Sequence, residues 1–368
     1  MKILHTGDLH LDSPFASLDE RRGEIRKNEL RAAFTSMMTY ARMNEVDIAL
    51  FAGDLFDGRY ITRETLSLVD KELEKFAKPV FIVTGNHDYA DEKSIWRKHT
   101  FPENVHVFME EELENVRLPE LGVTVWGFGY RSPAVYENPV IGHRVAESDH
   151  PSDIHILLAH AEVTDSAGNY ASLSESQLSF FGADYAALAH IHVPSAFGDK
   201  AAYCGCLEPR DFTECGPRGA CIVDIQKENG VSAVKIKRVR FSKRRYETAS
   251  VDLTGCTVME EVKERIAALI AQMKYGEDTL LRLQCAGTLA EGLVLSPDYL
   301  GDMGLFLLKL EDATLPDEAQ LAADTGIRGA YYRRLAPALH DPDPQKREVA
   351  LRALRYGLAA IAGENITD

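Results

Sequence analysis

Metal-capable side chains stand just after one apolar, strand-like run after another, and this recurrence constrains the fold more than any other feature of the chain. KILHT is followed by Gly7-Asp8-Leu9-His10, IALFA by Gly53-Asp54-Leu55-Phe56-Asp57, and FIVT by Gly85-Asn86-His87-Asp88. IHILLA is followed by His160, and DYAALA by His190-Ile191-His192. Amphipathic patterns lie between the runs. Residues 19–43 place Leu30, Phe34, Met37, Met38 and Ala41 on one helical face, and 62–76 place Leu66, Val69, Leu73 and Phe76 in phase. Further strand-like runs fall at 104–109, 121–127, 154–159 and 184–189. Several are apolar throughout, as strands are when both sheet faces are covered. The alternation predicts a layered α/β domain. Loops beyond the carboxyl ends of such strands gather along one sheet edge, so residues 8 to 192 are expected to converge there.

Residues 201–240 read as strands returning to the sheet, and near 246 the pattern changes. A β-α-β-β unit follows, with strands at 246–253, 278–285 and 304–310 and a helix at 259–274. From Pro316 the chain reads helical, broken at Pro337 and at Asp341–Pro344. The last helix carries Val349, Leu354, Leu358 and Ile361 along one side. The expected organisation is a domain over 1–240, a cap over 246–312 and a helical segment over 313–368, whose apolar stripes would pack on the cap or on a second copy of the chain.

Asp8, His10, Asp54, Asn86, His160, His190 and His192 make seven donors, too many for one tetrahedral site. They suit two octahedral divalent cations sharing Asp54. A mixture of carboxylate, amide oxygen and imidazole favours Mn²⁺ or Fe²⁺ over Mg²⁺. A single histidine after a strand is ordinarily a packed or surface residue, and Gly-Asp and Gly-Asn are ordinary turns. The ordered set of five is what stands out. The glycines before Asp8, Asp54 and Asn86 would let the backbone turn sharply.

GDLH, GDLFD, GNHD, a strand-terminal His and HIH, in this order, resemble the calcineurin-like metallophosphoesterase superfamily. KILHTGDLHLDSPF is similar to the N-terminus of its SbcD/YhaO-like DNA-repair exonuclease branch. The resemblance covers about residues 1–240 and is weaker over the cap. It implies a four-layer β-sandwich flanked by helices, two divalent metals and phosphodiester hydrolysis by a metal-activated hydroxide. It also implies Asp8, His10, Asp54 and His192 at one metal, and Asp54, Asn86, His160 and His190 at the other. His87 matches the catalytic, non-ligating histidine, although it is also a possible further ligand. A coiled-coil ATPase of the SbcC type is the partner the resemblance implies.

Asp57 departs from the break-repair pattern, which often has His there, and matches phosphatase-like relatives. It either orients His87 or is a surface or capping Asp. Asp12 and Asp88 read as caps or acceptors behind the ligands. Arg131 and Arg210 are candidates for a substrate phosphate, with structural ion pairs as the plainer reading. Lys235, Lys237, Arg238, Arg240, Lys243, Arg244 and Arg245 form a cationic run with no acid between them. It is either a solvated strand face with a linker or a contact for DNA or a partner. Arg21, Arg22, Arg26, Lys27 and Arg31 are interleaved with acids and read as a solvated helix face. Cys204, Cys206, Cys215 and Cys221 lack paired zinc spacing and read as ordinary buried cysteines.

A net charge of −16 argues against non-specific coating of nucleic acid, which rests on cation–phosphate contacts, but leaves a local basic patch open. No apolar run nears the ~18 residues of a membrane span. MKILHTGDLH does not read as a signal peptide, and six cysteines do not make a disulfide scaffold, so free thiols in the cytoplasm are expected. Three functions stay open: a DNA-repair exonuclease, a phosphatase or small-molecule phosphodiesterase, and a DNA-end-binding subunit whose latent activity an ATPase switches.

Overall fold

The computed structural model describes residues 1–58, 61–148, 150–290 and 293–363. Its backbone divides into two compact units, Met1–Arg245 and Tyr246–Asp368. In the first, the elements are β1 (Lys2–Thr6), α1 (Glu20–Met43), β2 (Ile48–Phe51), α2 (Arg63–Phe76), β3 (Val80–Val83), α3 (Ile95–Lys98), β4 (Val105–Phe108), β5 (Glu114–Leu118), β6 (Val123–Gly127), β7 (Ile154–His160), α4 (Glu175–Phe181), β8 (Tyr185–Ala189), β9 (Ser195–Phe197), β10 (Ala201–Tyr203), β11 (Gly219–Glu228) and β12 (Val231–Arg240). The short strands β5 and β9 escape periodicity, because three to five half-exposed residues carry too little pattern.

Two six-stranded sheets form, in the orders β12-β11-β1-β2-β3-β4 and β5-β6-β7-β8-β10-β9. Strands β1 to β4 run parallel, as do β6, β7, β8 and β10. Ile3, Ile48, Leu50 and Val83 of one sheet pack against Val125, Ile156, Leu158 and Tyr185 of the other, and this is the inner core. The outer face of the first sheet is covered by α1 and α2 through Leu30, Phe34, Met37, Val69 and Leu73. That of the second is covered by Leu178 and Phe181 of α4 and by Val135 and Val140. The four-layer sandwich is thus as expected, and the apolar runs are explained by strands buried on both faces.

Capping sets the helix ends. The Asp19 side chain accepts the main-chain N–H of Arg22 at the start of α1, and Thr62 accepts that of Thr65 at the start of α2. Asp12 is a structural acceptor, taking bonds from Thr62, Thr65 and Arg31. The solvated reading of the α1 cations fails at Arg26, which is wholly buried and bonds Glu29, Glu208 and the Pro209 carbonyl. A guanidinium can be buried only when acceptors surround it, and two carboxylates supply them, one a turn away on the same helix and one from a distant segment.

The second unit holds β13 (Arg245–Asp252), α5 (Met259–Met273), β14 (Thr279–Ala286), β15 (Thr288–Leu289), α6 (Pro297–Leu300), β16 (Leu307–Asp312), β17 (Leu315–Pro316), α7 (Glu318–Ala323), α8 (Ile327–Leu339) and α9 (Pro344–Ala362). A three-stranded sheet β13-β14-β16 packs on Val262, Ile266 and Ile270 of α5. A separate cluster joins Leu321, Tyr332 and Leu354. Pro337 does not break the helix as expected. It lies inside α8, two residues from its end. On α9, Leu354 is buried and Leu358 packs beside it as expected, whereas Val349 is exposed and Ala350 is buried instead.

Candidate metal centre

The carboxyl ends of β1, β2, β3, β7 and β8 meet at one edge of the sandwich, and all seven predicted donors lie there. Main-chain bonds weld the first two loops together: Asp8 N–H to Gly53 O at 3.0 Å, His10 to Asp54 at 2.9 Å and Leu11 to Leu55 at 3.0 Å. The His87 N–H donates to Asp54 Oδ1 at 2.9 Å. The His190 N–H donates to the Asp8 carboxylate at 3.1 Å. Donor atoms of Asp8, His10 and His192 fall within 4.8 Å of one another, as do those of His10, Asp54 and His87, and of Asp8, Asp54 and His160. Asp54 is shared by the second and third groups, and the first is tied to them through His10 and Asp8. Asn86 Oδ1 is 2.9 Å from His160 Nε2, and the His190 ring centroid is 5.2 Å from that of His160.

The backbone is strained where the donors sit. Asp8, His10, Asp54 and His190 hold φ of 49°, 46°, 50° and 98°, in the left-handed region that non-glycine residues rarely enter. Of the three glycines expected to turn the chain, only Gly53 has a positive φ, at 98°. Gly85 is required for space instead, since a Cβ there would lie 2.2 Å from Asp54 Oδ1.

The donor set fits divalent cations. His160 Nδ1 is 3.0 Å from the Ala52 carbonyl, which can only accept, so Nδ1 carries the proton. Its Nε2 then presents a lone pair to Asn86 Oδ1 and, at 3.5 Å, to Asp54 Oδ2. His10 Nε2 likewise lies 3.6 Å from Asp54 Oδ2 and 3.4 Å from His192 Nε2. Buried acceptors crowd together with few protons between them, an arrangement that cations resolve. Burial, reinforced by neighbouring cationic groups, keeps His10 and His190 neutral, the latter at a pKa of about 3. Neutral imidazole is the ligating form.

His87 differs from these groups. Its side chain is 46 % exposed, and its Nδ1 is 3.4 Å from Asp57 Oδ1. The bond to Asp57 raises its pKa above the ordinary value, against the opposing effect of burial. Asp57 is lowered in turn, since the His87 bond and charge outweigh its burial. Asp88 is an acceptor behind the candidate donors, taking the main-chain N–H of Gly85 at 2.8 Å and of Phe56 at 3.1 Å.

Arg210 reaches this edge: its Nη2 is 3.0 Å from His192 Nδ1. Arg131 does not join it but stands exposed, 3.5 Å from Glu110. In the basic run, Arg244 is held by Glu29 at 2.6 Å and Lys243 lies 3.3 Å from the same carboxylate. Lys235, Lys237, Arg238 and Arg240 line β12 with exposed side chains. Cys204, Cys206 and Cys221 are buried free thiols. Two residues at the centre had no sequence signal. Glu214 lies against His192, and the Tyr170 ring lies tilted over that of His190, centroids 4.4 Å apart.

A family model described as calcineurin-like phosphoesterase matches residues 1–194. The chain belongs to the calcineurin-like phosphoesterase family. This phosphoesterase is a metal-dependent hydrolase. It is 29 % identical over 333 residues to an uncharacterized metallophosphoesterase, YhaO, of Bacillus subtilis, covering 86 % of this chain and 79 % of that one. It is 25 % identical to the DNA double-strand break repair protein Mre11 of Haloferax volcanii, over 98 % of this chain and 75 % of that one. It is 24 % identical to a subunit of the nuclease SbcCD of Staphylococcus epidermidis, over 61 % and 66 % of the two chains. Among the described residues of the phosphoesterase, no helix is long and apolar enough to cross a membrane.

Proposed function

We propose that this phosphoesterase is a Mn²⁺-dependent phosphodiesterase of the DNA-repair exonuclease type. The observation that carries the reading is the convergence of Asp8, His10, Asp54, Asn86, His160, His190 and His192 from five strand ends around one shared carboxylate. The likeness to a repair protein over nearly the whole chain supports DNA as the substrate. Asp8, His10, Asp54 and His192 would hold one cation, and Asp54, Asn86, His160 and His190 the other. Such a pair supplies Lewis acidity and a water acidic enough to attack at neutral pH.

The chain's own groups do the rest. His87, raised toward protonation by Asp57 and reaching solvent, donates a proton to the departing oxygen. Asp57 orients that ring and balances its charge. Arg210 brings a guanidinium toward the phosphate. The exposed cations of β12 contact the DNA backbone. A large coiled-coil ATPase of the SbcC type is the proposed partner, because one relative is by name a subunit of such a nuclease. A reducing cytoplasm suits six free cysteines.

The test is hydrolysis of single- and double-stranded DNA with Mn²⁺, beside a panel of phosphomonoesters. The Asp57–His87 pair favours a second reading, a phosphatase, and intact DNA with rapid monoester cleavage would establish it. A purified chain inert on every substrate until partner and ATP are added would instead mark a latent subunit.

A further inference from the structure

Two opposed groups meet at the outer edge of His192. Its Nδ1 lies 2.5 Å from Oε1 of Glu214 and 3.0 Å from Nη2 of Arg210. Glu214 is 3 % exposed. Its Oε2 accepts the main-chain N–H of Arg210 at 2.6 Å and the Cys206 thiol at 3.4 Å. Its Oε1 also accepts Arg210 Nη2 at 3.2 Å.

A neutral imidazole has one ring proton, and its position decides which nitrogen offers a lone pair. A carboxylate can only accept. It requires the proton on Nδ1 and leaves Nε2 bare, facing His10 Nε2 at 3.4 Å and Asp8 Oδ1 at 3.9 Å. A guanidinium can only donate. It requires a bare Nδ1 and would place the proton on Nε2, turned into the cluster. The two neighbours therefore demand opposite tautomers.

We infer that Glu214 is the positioning residue that holds His192 in its Nδ1–H tautomer against Arg210, so that Nε2 is free to bind a cation. This rests on the reading of His192 as a ligand. The geometry favours the carboxylate on two counts. Its contact with Nδ1 is the shorter, and the same oxygen that takes the ring proton also draws a guanidinium proton away from the ring. Two further bonds on Oε2 fix the carboxylate in place, so the outcome does not depend on a mobile side chain.

The test uses the full chain, stripped of metal, at a pH where the ring is neutral. Long-range ¹⁵N–¹H correlation spectra should show His192 protonated on Nδ1, its signals being identified by their loss in His192→Ala. Titration calorimetry with Mn²⁺ alone should then show one of two equivalents weakened about 10–100-fold in Glu214→Ala. Adding Arg210→Ala to that variant should recover most of the loss, since nothing then opposes the Nδ1 proton. An Nε2–H tautomer in the unaltered chain overturns the inference, and this measurement does not depend on any variant folding. So does undiminished Mn²⁺ binding in Glu214→Ala while His192→Ala loses an equivalent, a result that leaves the ligand reading standing. Full Mn²⁺ binding by His192→Ala would instead overturn the ligand reading itself.

Discussion

His87 and Asp57 give the sharpest expectations for single side chains. Replacing His87 by Ala should lower turnover about 10²–10⁴-fold, the usual scale for a lost acid or base. Metal content, measured by elemental analysis, should stay at the unaltered level, and a fall in both together would make His87 a ligand. Asp57→Asn tests the pair through pH. A proton donor works only while protonated, so the rate falls as pH rises through the pKa of His87. Asp57 holds that pKa above the ordinary value, and its removal should move the basic limb of kcat/KM to lower pH. An unmoved limb would separate Asp57 from the chemistry. The candidate donors were legible because Asp, Asn and His together are residue types that a divalent transition-metal cation accepts and each follows a readable strand. Glu214 was not, since it lies in a loop with no motif, 22 positions from the histidine it holds.

At the scale of loops and strands, close approach decides what the centre tolerates. In Gly85→Ala the new Cβ would fall 2.2 Å from Asp54 Oδ1 and 2.7 Å from its main-chain nitrogen. Asp54 must shift, so calorimetry with Mn²⁺ should show weakened binding while the far-ultraviolet circular dichroism is kept. On the first sheet, Phe34→Ala removes a wholly buried ring that faces Phe51. It should cost about 3–5 kcal/mol in urea unfolding of the metal-free chain. If DNA is the substrate, Lys235→Glu with Lys237→Glu on β12 should weaken its binding. The slope of log K against log salt should become shallower by about 0.9 for each phosphate that is no longer neutralised. The periodicity of 3.6 in α1 and α2 was readable because each has one dry face. Arg26 was misread because its partner Glu208 comes from a loop far along the chain.

For the molecule as a whole, the inner core makes stability depend on pH through His5. This ring is buried between the sheets, bonded to Tyr185 at 2.7 Å and to the Leu188 carbonyl at 3.1 Å. Burial lowers its pKa to about 3 from an ordinary 6.5, against the opposing effect of the Leu188 bond. The folded state therefore keeps His5 neutral where the unfolded chain is protonated. Its contribution is complete above pH 6.5 and declines by about 1.4 kcal/mol per unit as the pH falls from there toward 3. Urea unfolding at pH 7.5 and pH 5 should lose about 2 kcal/mol more in the unaltered protein than in His5→Gln. An equal loss in both would show that the ring titrates alike in the two states.

Residue type and order along the chain were enough to specify the layered sandwich and to mark seven candidate donors, which the fold gathers at one edge. Strands buried on both faces must be apolar, and a cation site must draw its ligands from a short list of side chains. Three features needed the folded coordinates: the strained backbone at Asp8, His10 and Asp54, the steric need for Gly85, and the contest of Glu214 and Arg210 over one ring. Each depends on distances between segments far apart in sequence. Tertiary packing alone sets such distances, and no local pattern encodes them.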